Sequence, residues 1–352
     1  MKSILLSITL VFLVTGCKKE TPNFYKGDNQ DIKSALNNSP SIKLQGVNIG
    51  PINKYGLIDD IFFMDNELLM LDVKSDSIFL KYNLKEGGVK KSIIKGVGPN
   101  EIATPQFLKI TSFSNFSNDI QVYNYNKGLF KIDFVDQKTT SYFKLAKFDH
   151  KTSVQSIVMI NKGIYAITSL DSQIKFSIYS DITKETKQIP LSKKNLEIVF
   201  PKDVFQSTTP VDIGYNRKHK IIFTWDGYFN SIDLHDENGF FIKSYTFGSN
   251  KNIVNGKFTP KYFYYYNVKS QGDYIYGIYA GFNTKDNFTE SLIPHLKSEV
   301  HVFNIKTDEI KIYKLDRLIN SCTIDFKKNI IYSIEENSES QPLVKYEMAQ
   351  KN

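Results

Sequence analysis

From about residue 40 onward, the chain alternates short apolar runs with polar turns. Runs such as "LLMLDV", "KIIFTW" and "NIIYSI" are rich in β-branched, aromatic or other large apolar residues, and Asp, Asn or Gly follows many such runs. Short runs bounded by turn residues are typical of β-strands. Amphipathic helical periodicity is hard to find along the same stretch. The pattern therefore predicts an all-β chain.

The predicted strands fall into groups of four, with a period of about 40–50 residues that is typical of propeller blades. Five groups are complete, and the last contains three strands. A blade with an open edge would expose a template for pairing with another chain. We therefore predict a six-bladed β-propeller over residues 40–350, with four antiparallel strands per blade. The N-terminal strand "SIKLQGV" (41–47) is predicted to join the last blade and close the ring.

The stretch "KGVGPNEIATPQF" (95–107) has two interpretations. Its paired glycines resemble a phosphate-binding loop, which requires a helix immediately afterwards so that backbone N–H groups face the anion. Here Pro105 and the apolar run "QFLKITSF" follow instead. Gly96, Gly98 and Pro99 supply the dihedral angles of a turn between one blade and the next. The sequence favours the turn.

The first residues indicate export. One Lys precedes an apolar run from Ile4 to Val14, which is too short to span a bilayer and has the length of a signal-peptide core. "VTGC" (14–17) resembles the lipobox of bacterial lipoproteins, and the resemblance implies cleavage before Cys17 and acylation of that cysteine. We expect a signal peptide over 1–16 and a lipidated flexible tether over 17–39. Lys18 after the cysteine favours the outer membrane of the cell envelope.

Charge and cysteine content limit the possible partners and the role of Cys322. The formal net charge is +8 and the pI is about 9.0. Basic and acidic residues are interspersed, so we expect no nucleic-acid partner. A solvated basic surface and attraction to anionic lipid or acidic glycan both fit this charge. Cys322 has no disulfide partner once Cys17 is lipidated, and we interpret it as a small core residue in a monomeric protein.

The same chain resembles a known family. "KGVGPNEI" looks like the G-x-GP-x-E element of the TolB-like six-bladed propeller lipoproteins of bacterial cell envelopes. The resemblance is stronger in "DYIYGIYAG" (273–281), "SEVHVFNIKTDEIKIYKLD" (298–316) and "CTIDFKKNIIYSIEE" (322–336). It implies an envelope-anchored propeller that binds or senses, and it supplies no active site.

Lactonase- and lyase-type propellers hold a divalent cation in the central channel, with ligands from the starts of the innermost strands. Asp60 and Asp212 could face the channel, and they are the basis of the alternative, a metal-dependent lactonase- or lyase-like enzyme. Two carboxylates do not complete a cation site. The five histidines (His150, His219, His235, His295 and His301) are interpreted as surface or turn residues. We expect no catalytic residue, no metal and no cofactor.

Long connections favour a binding function. Two inter-blade connections, 192–210 and 248–266, and a third loop, 281–297, are expected on one face of the ring. They mix Lys with aromatic residues, which suits a protein or glycan ligand. The predicted ligand-facing rim consists of Phe200, Lys202, Lys257, Lys261, Tyr262 and Phe282. A third hypothesis is a structural role in an outer-membrane assembly, which would require a broad apolar patch instead of a concave polar pocket.

Overall fold

The computed structural model describes residues 40–50, 57–94, 96, 101–102, 108–113, 119–124, 128–134, 138–143, 154–169, 174–191, 211–283, 297–336 and 342–348. Within these ranges, every helix or strand assigned is a β-strand. Nowhere in them is there a helix that is long and apolar enough to cross a membrane. The strands form six four-stranded antiparallel blades in a ring, so the chain is an all-β, six-bladed β-propeller.

The strands follow the predicted groups. Two short strands come first: β1 (Ser41–Leu44) and β2 (Val47–Gly50). Blades one, two and three contain β3 (Ile58–Met64), β4 (Glu67–Asp72), β5 (Ser77–Asn83), β6 (Val89–Ile94), β7 (Leu108–Phe113), β8 (Asp119–Asn124), β9 (Gly128–Asp133), β10 (Lys138–Phe143), β11 (Val154–Asn161), β12 (Ile164–Ser169), β13 (Ile174–Ser180) and β14 (Thr186–Pro190).

The second half of the ring continues the same order and adds a small hairpin. Blade four contains β15 (Val211–Asn216), β16 (Ile221–Asp226), β17 (Ser231–Asp236) and β18 (Phe241–Thr246), and the hairpin is β19 (Ile253–Val254) with β20 (Lys257–Phe258). Blades five and six contain β21 (Tyr262–Gln271), β22 (Tyr274–Asn283), β23 (Glu299–Asn304), β24 (Ile310–Leu315), β25 (Ile319–Asp325), β26 (Ile330–Glu335) and β27 (Leu343–Glu347).

Apolar packing between adjacent blades holds the ring together. Each of the six blade-to-blade interfaces has its own buried cluster. The cluster between blades six and one includes Ile61, Leu68, Tyr332 and Leu343. The second strand of each blade lies between two such clusters, which explains why β4, β16 and β26 are buried along nearly their whole length.

The predicted N-terminal strand, 41–47, is wrong in its extent, because this segment divides between two blades. β1 adds to the outer edge of blade five, where it pairs in parallel with β24. β2 begins at Val47 and pairs in antiparallel fashion with β27 of blade six. Gly46 lies at the crossing, where an added Cβ would approach the Val344 side chain to 2.4 Å. Only glycine fits this passage. The need for β2 in a closed ring stays a prediction.

Asp and Asn residues end many strands, as the turn pattern predicts. The Asp72 carboxylate accepts hydrogen bonds from the backbone N–H groups of Lys74 and Ser75, both at 3.0 Å. Asn304 and Asp325 make equivalent contacts after β23 and β25. Such side chains reproduce a backbone turn and so fix the strand ends. Of the stretch 95–107, only Gly96, Glu101 and Ile102 lie within the described residues, and a strand, β7, follows it.

Two histidines depart from the expected surface position. His235 and His301 are fully buried in the third strands of blades four and five. His301 Nδ1 lies 2.9 Å from the Tyr265 hydroxyl, and His301 Nε2 lies 3.2 Å from Glu299. Local alternation did not reveal that His301 is buried, because the Tyr265 hydroxyl that it contacts comes from another strand, β21. His150 and His295 lie outside the described residues.

Candidate functional site

The central channel widens into a cavity of about 260 Å³, here called the channel cavity. Every innermost strand contributes to its wall. Five of these strands contribute residues from their second or third positions, next to the connection from the preceding blade. The channel cavity therefore opens on the face that carries the inter-blade connections. Its lining consists of Asp59, Asp60, Lys109, Ile110, Ser156, Asp212, Ile213, Trp225, Tyr266, Asn267, Val268, Lys269 and Asn320.

A buried ion pair forms one wall of the channel cavity. The Lys269 ammonium donates to Asp60 Oδ1 at 2.7 Å, to the carbonyl oxygen of Ile61 at 2.6 Å and to that of Cys322 at 2.8 Å. It also lies 4.1 Å from the centre of the Phe62 ring, a cation–π contact. The Lys269 side chain is only 8% exposed. The Lys269 ammonium is therefore neutralised and hydrogen-bonded within the protein.

Asn267 and Ser321 complete this network. Both donate to Asp60 Oδ1, Asn267 through its amide at 2.8 Å and Ser321 through its hydroxyl at 2.6 Å. Asn267 has a φ of +51°, a conformation that asparagine tolerates better than most residues. The pairing of β21 with β22 shifts register at this point. The network joins the innermost strands of blades one, five and six.

A second ion pair faces solvent on the opposite wall. The Lys109 ammonium on β7 donates to the Asp212 carboxylate on β15. These strands belong to blades two and four, so the pair reaches across the entrance of blade three. The side chains are 43% and 28% exposed, respectively, which places the pair in the screened environment of the cavity opening.

Asp59 and Asn320 are left with free acceptor atoms. Among the described residues, no group donates a hydrogen bond to the Asp59 carboxylate. Burial and the adjacent Asp60 raise the pKa of Asp59, and Lys269 and Lys109 oppose that rise. The Asn320 amide donates to the Ile58 carbonyl at 3.0 Å, whereas its Oδ1 is buried without a donor in the described part of the chain. The Asp59 side chain is exposed to solvent, whereas Asn320 Oδ1 is closed off from it.

Aromatic side chains provide the apolar part of the wall. Trp225 on β16 is half-buried and stacks against Phe223, with ring centroids 5.8 Å apart. The Tyr266 hydroxyl donates to the Ile319 carbonyl at 2.6 Å, which fixes the ring at the cavity. Ile110, Ile213 and Val268 line both the channel cavity and a smaller cavity of about 60 Å³. A mixed polar and aromatic wall of this kind is typical of small-molecule sites.

The residues considered as metal ligands lie in the same cavity, but each holds a lysine. Asp60 binds Lys269, and Asp212 binds Lys109. The described residues contain no group of three or more His, Cys, Asp or Glu side chains that could hold a metal ion. An ammonium on each carboxylate competes with a cation for the same oxygens. The geometry therefore does not favour a metal at Asp60 and Asp212.

The predicted rim is described only in part. Lys257 is exposed on β20, Lys261 is exposed before β21, and Tyr262 is half-buried under the Lys251 ammonium, 5.0 Å from its ring centre. None of these three lines the channel cavity among the described residues. Phe200 and Lys202 lie outside the described residues, and of Phe282 the backbone alone is described, within β22. The rim stays a prediction.

The connection that carries Lys257 and Lys261 is held by one buried side chain. Asn252 donates to the carbonyl oxygens of Tyr228 and Tyr262, and its Oδ1 accepts from the N–H groups of Lys261 and Tyr262, all at 2.7–2.8 Å. All four hydrogen-bonding positions of this amide are therefore used. The connection is built as a fixed part of the loop-rich face.

Sequence reasoning found some of the cavity residues and missed others. Asp59, Asp60, Asp212 and Asn320 were recognisable as polar residues at strand starts. Lys269 and Asn267 were missed because they lie in the middle of β21, beyond a register shift. The interruption of the aromatic run "YFYYYNVKS" by Asn and Lys is the signal that marks them. Cys322 is fully buried, as expected, and burial raises the pKa of its thiol to about 12.

Comparisons with known proteins support the architecture. No family model matches the chain, and no curated protein matches it. A member of the DUF4221 family from Bacteroides vulgatus has a similar structure, with a TM-score of 0.55, 14% identity, and coverage of 88% of this chain and 96% of that chain. At this identity, the likeness shows the fold alone.

Two further solved structures align with lower TM-scores than the DUF4221 protein. A candidate exported protein from Bacteroides fragilis aligns with a TM-score of 0.48 and 12% identity over 87% of this chain and 98% of its own. Regucalcin from Agrobacterium tumefaciens, a calcium-binding protein, aligns with a TM-score of 0.47 and 10% identity over 88% of this chain and 95% of its own. At these scores and identities, neither structure indicates a function for this chain. The TolB-like family stays a prediction.

Proposed function

We propose that this protein is a lipid-anchored propeller of the bacterial cell envelope that binds a glycan or protein ligand without chemical turnover. The ligand is proposed to enter on the loop-rich face and to place a terminal group in the channel cavity. The observation that carries the proposal is the cavity itself, a concave polar site to which all six blades contribute. Ligand-binding sites on rigid scaffolds are typically concave and pre-formed in this way.

The nature of the wall supports binding over catalysis. Both lysines of the cavity are hydrogen-bonded to carboxylates, and the one described cysteine is buried with a raised thiol pKa. Neither kind of group is therefore prepared to act as a nucleophile. The Asp59 carboxylate and the rings of Trp225 and Tyr266 remain, and such groups recognise hydroxyl, amine and apolar parts of sugars and peptides.

The exposed surface also bears on the hypothesis of a structural role in an outer-membrane assembly. Such a role would require a broad apolar patch on the loop-rich face. In the described ranges, the large apolar side chains that are exposed come from several blades and from the hairpin (Val47, Leu57, Ile182, Phe240, Ile242 and Val254). The concave part of the face is polar. This distribution favours a ligand over a permanent apolar interface.

The direction of β1 supports an accessible site. Strands of a blade alternate in direction, and β21 starts on the loop-rich face, so β24 starts on the opposite face. β1 runs parallel to β24, so the chain reaches Ser41 from that opposite face. A tether from Cys17 would then join the propeller on the side opposite the opening of the channel cavity.

Binding to glycan and peptide arrays tests the proposal. The full-length protein in detergent should retain a defined ligand class, and mass spectrometry should recover that ligand intact. The same ligands, with lactone and ester substrates added, should then be incubated with and without calcium or zinc. Metal-dependent turnover that disappears in Asp60→Asn or Asp212→Asn would replace this proposal with the enzyme alternative.

A further inference from the structure

Trp225, the only tryptophan of the chain, lies beside Asp212 on one face of blade four. The two residues are direct cross-strand partners where β15 pairs with β16, which places their Cβ atoms about 5 Å apart. Both line the channel cavity. Trp225 also stacks against Phe223 with an angle of 20° between the ring planes. The indole is therefore held in one orientation next to a carboxylate.

The ion pair beside the indole keeps unused hydrogen-bonding capacity. The Lys109 ammonium donates to Asp212 Oδ1, and within the described chain this is the only hydrogen bond that either side chain makes. Two N–H donors of Lys109 and the Oδ2 atom of Asp212 therefore stay available, and both side chains reach solvent. The Lys269 ammonium differs, because a carboxylate and two carbonyl oxygens take its three N–H groups.

The charge of the lining disfavours an acidic ligand. The described lining holds three aspartates, Asp59, Asp60 and Asp212, and two lysines, Lys109 and Lys269. Both lysines are already paired with aspartates, so an added carboxylate or phosphate would meet an excess of negative charge. A ligand without charge avoids this repulsion and still uses the free donors and the free acceptor of the exposed pair.

We infer that the channel cavity is a subsite for one neutral sugar ring, which stacks on Trp225 and exchanges hydrogen bonds with Lys109 and Asp212. A pyranose has an apolar C–H face, whose hydrogens are attracted to the negative face of an indole. Its adjacent hydroxyls each donate and accept, which matches a carboxylate oxygen next to an ammonium.

The size of the channel cavity limits what enters it. Its volume of about 260 Å³ lies just below the usual range of about 300–1,000 Å³ for small-molecule sites. The cavity therefore admits a single ring and leaves the rest of a longer chain outside, on the loop-rich face. Because this subsite rests on the proposed function, its ligand is the end of a neutral glycan and not a peptide.

Tryptophan fluorescence of the full-length protein in detergent tests the sugar subsite, because Trp225 is the only tryptophan that can report. The methyl glycosides of glucose, galactose, mannose and N-acetylglucosamine should be titrated beside those of glucuronic, galacturonic and mannuronic acid. At least one neutral glycoside should change the fluorescence and saturate. Uronic acid glycosides should bind about fivefold more weakly, because their carboxylate meets the acidic lining.

Two exposed lysine–aspartate pairs provide matched variants. Lys109→Met should weaken binding of the selected glycoside about tenfold, because charged donors to its hydroxyls are lost. Lys218→Met breaks a similarly exposed pair with Asp273 on the opposite face of the ring, and it should leave the dissociation constant unchanged. Both variants should melt close to the wild-type temperature, which controls for folding.

Three results would overturn the sugar subsite: no saturable response to any neutral glycoside, tighter binding of a uronic acid glycoside, or undiminished binding by Lys109→Met. Array capture of an intact peptide that competes for the channel cavity would also overturn it, and would leave the proposed function standing. Conversion of a bound glycoside to product would support the sugar subsite and overturn binding without turnover.

Discussion

At the residue scale, the two ion pairs of the channel cavity form a matched comparison. Lys269→Met would leave Asp60 buried without its cation, and such changes cost about 3–5 kcal/mol of unfolding free energy. Lys109→Met breaks an exposed pair and should cost less than about 1 kcal/mol. Urea unfolding of both variants measures the difference. Equal losses would show that Lys269 is not part of a buried network that ties blades one, five and six.

Asp226 gives a pH-dependent prediction at the same scale. Burial raises the pKa of this carboxyl to about 7, although the Tyr228 N–H donates to it at 2.8 Å. The folded state therefore binds a proton that the unfolded state has released between about pH 4 and pH 7. Stability should fall as pH rises through this window. Asp226→Asn should flatten the profile, and an unchanged slope in chemical denaturation would contradict this assignment.

At the element scale, the two N-terminal strands have separable roles. Deletion through Gly46 removes β1, which is an addition to an already complete blade five. It should lower the melting temperature by only a few degrees. Deletion through Gly50 also removes β2 and exposes the edge of β27, so this chain should aggregate or lose cooperative melting. A monomer that melts cooperatively without β2 would contradict closure through this strand.

The elements also show what the sequence could predict. Blade number, strand order and the buried second strands follow from apolar runs and turn residues, because these are local properties. The crossing of the N-terminal segment from blade five to blade six at Gly46 could not be predicted in this way. It requires glycine because any side chain there would collide with Val344, a residue distant in the chain. The same holds for the site: Asp60 and Asp212 were visible as strand-start carboxylates, but their lysine partners come from other blades.

At the scale of the whole molecule, the lipid anchor is predicted to be the attachment to the membrane. Cys17→Ser, exported behind a signal peptide that is cleaved without lipidation, should release the folded protein from membranes, because residues 18–352 have no apolar segment expected to insert. Detergent-phase partitioning measures this, with the circular dichroism spectrum as a control for folding. A Cys17→Ser protein that stays in the membrane fraction would argue for a different attachment.

The central claim is that a ligand binds in the channel cavity and leaves it unchanged. The most direct measurement is the dissociation constant of the array-selected ligand for the wild type, Trp225→Leu and Lys257→Ala. Trp225 lines the cavity, whereas Lys257 lies on the same face outside it. The account predicts about tenfold weaker binding for Trp225→Leu, little change for Lys257→Ala, and intact ligand after incubation. Loss of affinity in Lys257→Ala alone, or conversion of the ligand to product, would contradict it.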